Sequence, residues 1–121
     1  MTPRQRIERA DHETVLRACL ALLTGREPDA AMVAVLGGES AQQYVDTYWG
    51  RVWGVRGLLW AWDDRAMPAL AQALTDEHWR VREMALKVVA RHGLDLDPTP
   101  LLDDDNARVR AAAHRCASTC S

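Results

Sequence analysis

The sequence predicts an all-α fold, an α-solenoid in which helix pairs stack in a row. Three observations predict it: helical periodicity between regularly placed breakers, a dipeptide recurring at a near-constant interval, and apolar stripes that one helix pair cannot hide alone. At 121 residues the chain has room for one domain, taken as 1–121. It is 48% hydrophobic and 26% charged, which argues against disorder. The 15 Lys and Arg against 17 Asp and Glu leave a net charge of −2, without the cationic surplus of a dedicated nucleic-acid binder. No apolar run approaches the roughly 18–20 residues of a membrane span. The opening Met1–Arg6 lacks the apolar core of an export signal, so a cytoplasmic location is expected. The three cysteines, Cys19, Cys116 and Cys120, are an odd number and are expected to be reduced thiols.

Breaks rich in Gly, Pro and Asp fall at Gly25–Pro28, Gly37-Gly38, Asp63-Asp64, Thr75–His78, Gly93–Pro100 and Asp103–Asn106. Asp11 can cap a helix running to about Thr24, with Gly25 just past its end. A short helix follows Pro28 and stops at Gly37-Gly38. Ser40-Ala41-Gln42-Gln43 has a capping-box pattern ahead of a long stretch reaching Trp62. Helical pieces then cover Ala66–Leu74, Arg80–His92, Thr99–Leu102 and Ala107–Thr119, making seven in all. Val81, Met84, Ala85, Val88 and His92 form one stripe, and Val109, Ala113, Cys116 and Cys120 another. Arg108, Arg110, His114, Arg115 and Thr119 give the last helix the polar outer face of a terminal cap.

Val-Arg occurs at Val55-Arg56, Val81-Arg82 and Val109-Arg110. Around the second copy lie Asp63, Arg65-Ala66-Met67-Pro68, Leu70, Leu74, Asp76, Ala85, Val89 and Gly93. The third copy echoes this with Leu101-Leu102, Asp104, Ala113 and Cys116. The pattern resembles the HEAT-like repeat of phycobilin lyases, a helix pair with an Asp in its turn and Val-Arg opening the second helix. It covers 41–93 best, with 94–121 as a capping repeat and 1–40 as a divergent helix pair. The resemblance implies about three and a half helix pairs. It also implies that Arg82 and Arg110 pair with the turn residues Asp76 and Asp104, of their own or a neighbouring repeat. The competing reading of Arg56, Arg82 and Arg110 is a basic ladder for an anionic ligand. Arg56 has Gly50 where the others have Asp, which frees its charge for a ligand or another pairing.

The central helix carries the most unusual residues. At about 100° per residue, Trp49, Trp53, Arg56 and Trp60 share one arc, and Tyr48, Val52, Val55, Leu59 and Trp62 the next. Gly50, Gly54, Gly57 and Ala61 form a ribbon with almost no side chain. Each helix-interior glycine costs about 1 kcal/mol against alanine, so a helix or a ligand must come close there. Two readings follow: a buried middle helix, or an aromatic-plus-guanidinium surface for a partner.

Other chemistry is sparse. His12, His78, His92 and His114 have no ligand-pair spacing, Cys116 and Cys120 lack partners for a tetrahedral site, and Asp103-Asp104-Asp105 lacks the spacing of a calcium loop. No nucleophile motif, phosphate loop or dinucleotide fingerprint occurs. Some HEAT-like solenoids are alkylpurine DNA glycosylases that use Trp, Arg and one Asp. Trp60 and Asp64 are similar to that arrangement, but the chain is short and acidic for duplex binding. A lyase-like or chaperone-like partner of a pigment protein is the other alternative. The expectation is a non-enzymatic module, without cofactor or metal, as monomer or homodimer. It would bind a protein or peptide on the concave face of the solenoid, lined near Met32–Leu36, Ala66–Leu74 and Thr99–Leu102, with nucleic acid and membrane disfavoured.

Overall fold

A computed structural model describes residues 1–27 and 29–119, the side chain of Thr119 excepted. Pro28 and Cys120, assigned above to a helix start and an apolar stripe, lie outside the described residues. The chain is all-α, with no strand among those residues. Its helices are α1 (Pro3–Arg9), α2 (His12–Leu23), α3 (Ala30–Gly37), α4 (Tyr48–Gly57), α5 (Met67–Ala73), α6 (Trp79–His92) and α7 (Ala107–Thr119). Short 3-10 turns cover Ala41–Tyr44, Asp64–Ala66 and Thr99–Leu101.

The count of seven agrees with the sequence expectation, but its composition differs. Helix α1 was not expected, and Thr99–Leu102 supplies a single turn instead of a seventh helix. Thr2 caps α1 in a capping box with Gln5, and Pro3 sits in its first turn, where a missing N–H is harmless. The stretch from Ser40 to Trp62 is not one helix. Ser40 makes no side-chain cap, and a 3-10 turn follows it. The helix begins instead at Tyr48, where the Thr47 hydroxyl accepts from the Trp49 amide at 3.2 Å. It closes at Gly57. Asp63 caps the following turn through the Arg65 amide at 2.9 Å.

Helices α2, α4, α6 and α7 lie side by side in that order and carry most of the packing. Around this row α1 packs on α3, α5 on α6 and on α2, and the 99–101 turn on α7. The units are therefore α1–α2, α3–α4, α5–α6 and the 99–101 turn with α7. Residues 1–40 hold α1, α2 and α3, one pair and the first half of the next. Four such units form the solenoid.

Burial follows the helical period. Val81, Ala85, Val88 and Val89 of α6 are fully buried, as are Val109, Ala113 and Cys116 of α7. The glycine ribbon of α4 has a helix against it. A Cβ at Gly54 would meet the Cys19 carbonyl at 2.9 Å, and one at Gly57 would meet Cys19 Sγ at 2.5 Å. At Gly50 the Val45 carbonyl fills the space. These glycines bring α4 against α2 and against the turn before it, which offsets their cost in helix propensity.

Candidate functional site

Two side-chain systems run across the stack: a ladder of arginine–aspartate clasps and a ladder of stacked rings and guanidiniums.

The clasps join successive units. Arg82 Nε and Nη2 donate to the Asp104 carboxylate at 2.8 and 3.1 Å, while Arg82 Nη1 donates to the Asp76 carbonyl at 2.8 Å. Arg110 Nη1 repeats the second contact on the Asp104 carbonyl at 2.6 Å. Each arginine thus holds its own turn through the backbone, and Arg82 reaches the next turn through the carboxylate. Asp76 in turn receives Arg51, with Nε and Nη2 at 2.7 and 3.2 Å. Arg51 occupies the position in the ladder that the Val-Arg repeat assigned to Arg56. Both acids also cap their turns: Asp76 accepts from the His78 amide and Asp104 from the Asn106 amide. Burial raises the Asp104 carboxyl, but the hydrogen bonds from Arg82 and Asn106 and the charges of Arg82 and Arg110 outweigh it. Its pKa lies below the usual value.

Of the four residues placed on one stripe, the structure brings together two. Trp49 and Trp53 stack with ring centroids 6.3 Å apart. Trp53 is buried with its ring over Gly37, where a Cβ would stand 2.7 Å from it. Arg56 is half buried and donates Nη2 to the Leu36 carbonyl at 2.6 Å, at the end of α3, while its buried Nε has no hydrogen-bond partner. Burial, with the nearby charge of Arg6, lowers the Arg56 pKa. Trp60 falls in the turn after α4, away from the helical arc that the long-helix reading gave it.

Trp49 belongs to a different assembly, one that periodicity within a single helix does not reveal. Arg80 lies with its guanidinium carbon 5.1 Å from the Trp49 ring centre and 4.5 Å from that of Trp79. Arg108 follows, 5.3 Å from the Trp79 ring, and its Nε meets the Glu83 carboxylate at 3.1 Å. The sequence Trp53, Trp49, Arg80, Trp79, Arg108, Glu83 therefore crosses α4, α6 and α7 within their first two turns. Tyr48 and His78 stack beside it, centroids 3.6 Å apart. Trp49, Trp79 and Arg80 are half buried and Arg108 is exposed. Glu83, at 7% exposure, is the only buried charged residue among those described.

His78 ties the assembly to the backbone. Its Nδ1 accepts from the Arg80 amide at 3.2 Å and so caps α6 as the unprotonated ring. Burial, then the charge of Arg80, lowers its pKa against the opposing pull of Asp76.

Burial pushes the Cys19 thiol up to about 12, and Cys116 is also buried. Among the described residues, no group of three His, Cys, Asp or Glu side chains is placed to hold a metal ion. No described helix is long and apolar enough to cross a membrane.

Residues 66–91, which span α5 and α6, match the family model of the HEAT repeat. No curated protein and no solved structure matches the chain.

Proposed function

With one helix pair a HEAT repeat and the neighbouring units built alike, we propose that the chain is a non-enzymatic module that holds a partner protein or peptide. The ring-and-guanidinium ladder across α4, α6 and α7 carries this reading. Trp and Arg dominate binding hot spots because they desolvate large areas at modest entropic cost, and here both types stand half exposed on adjacent helices. Stacking each guanidinium on an indole is worth about 0.5–1 kcal/mol at such sites, so the ladder is ordered before a partner arrives. The clasps fix the spacing of the helices that present it. Within the HEAT repeats, the turn aspartates and Val-Arg steps favour the phycobilin-lyase subtype, which bears on ancestry more than on chemistry here.

The test is capture of partners from source lysate by the intact chain, scored by mass spectrometry beside Trp79→Ala. One set of proteins held by the native chain and released by the variant supports the reading. Equal capture by both, or none by either, overturns it.

A further inference from the structure

Arg80 differs from Arg51, Arg82 and Arg108, each of which meets a carboxylate, at 2.7, 2.8 and 3.1 Å. Arg80 meets two indole faces instead, and among the described residues no carboxylate stands within ion-pair reach of it. Stacking on an indole occupies the face of a guanidinium and leaves its in-plane N–H edge, five donors in a fixed fork. That fork matches a carboxylate in bidentate geometry.

We propose that Arg80 is a receptor for a carboxylate side chain of the partner, an Asp or Glu flanked by apolar residues. Trp49 and Trp79 stand against the guanidinium and supply apolar surface for the flanking residues. The inference rests on the module reading above and names the chemistry of its partner. Charge favours a single carboxylate over a polyanion. Asp76 and Glu83 stand on the same clasps and ladder, Glu77 is exposed beside Arg51, and the chain carries net charge −2. A phosphate backbone needs many free cations, whereas this surface offers one fork whose neighbours are already paired.

Protein labelled with ¹⁵N at Arg and Trp is titrated with the capped peptide Ac-Leu-Glu-Leu-Glu-Leu-amide, its Gln counterpart, and oligothymidylate. The Glu peptide is expected to move the Arg80 Nε–H and the Trp49 and Trp79 indole signals. The Gln peptide should bind about tenfold more weakly, as should the Glu peptide to Arg80→Gln, the loss of one charged hydrogen-bond pair. Arg80→Lys keeps the charge but not the fork and should fall between. No shift at Arg80, equal binding of Glu and Gln peptides, or tighter binding of oligothymidylate would overturn the proposal. Lysate capture separates the two levels. Partners kept by Arg80→Gln yet lost by Trp79→Ala reject the carboxylate and leave the module reading standing.

Discussion

Arg82 of one unit closes on Asp104 of the next through two parallel hydrogen bonds, at 2.8 and 3.1 Å, with both side chains largely shielded from water. The same guanidinium holds the Asp76 carbonyl, so one side chain ties three consecutive segments. A buried pair of this kind contributes less than its geometry suggests, because both ions lost water to form it. Breaking it leaves one charge stranded. Arg82→Ala or Asp104→Ala should each cost about 3–5 kcal/mol in urea unfolding, and the double change Arg82→Met with Asp104→Leu clearly less than the sum. Additive losses would mean the two do not act as a pair.

Gly57 faces Cys19 Sγ at 2.5 Å and Leu36 Cδ2 at 2.8 Å from where a Cβ would stand. Alanine in a helix interior ordinarily gains about 1 kcal/mol over glycine. Here Gly57→Ala should lose about 1–3 kcal/mol through overpacking. The loss should shrink in a Cys19→Ala background, where the sulfur is gone. Thermal melts of the two single variants and the double variant measure it.

His78 caps α6 only while Nδ1 is unprotonated, and its pKa is lowered in the folded chain. The unfolded chain therefore binds the proton more readily, so stability is fully present above the unfolded value and is lost as pH falls through it. Asp76 opposes the shift, whereas Arg80, Arg51 and Arg82 favour it. Between pH 7 and 5 stability should decline, with a slope of less than one proton. His78→Asn, which keeps a cap, should flatten that slope. An unchanged slope would place the titrating group elsewhere.

Trp53 and Trp79 stand in the same ladder with different burial. Trp53→Ala should cost about 3–5 kcal/mol, because it empties a core position over Gly37. Trp79→Ala should cost about 1 kcal/mol, the two guanidinium contacts of a half-exposed ring. Chemical denaturation of both variants gives the ratio, and equal losses would put Trp79 in the core.

Helix periods and the spacing of Asp before Val-Arg were legible in sequence, because turns need caps and caps are short polar residues. Which unit's aspartate each arginine meets was not, since a carboxylate offset by one unit leaves no mark on local spacing. Thr2 and Gln5 mark α1 by a capping box, but the helix buries only Ile7 and so shows no apolar stripe. The break before Tyr48 has no Gly or Pro to announce it, and Thr47 does the capping unaided by composition. Arg80 beside Trp49 was invisible for a plainer reason: stacking between helices depends on how they dock, and each helix alone shows only its own face.

The clasp has a consequence for length. A stretch from one turn aspartate to just before the next carries a socket at its head, Asp76, and a plug six residues on, Arg82. Copied in tandem, such a stretch would present to each neighbour the half that neighbour lacks. New modules could therefore dock without inventing a joint, and the array could grow by simple duplication.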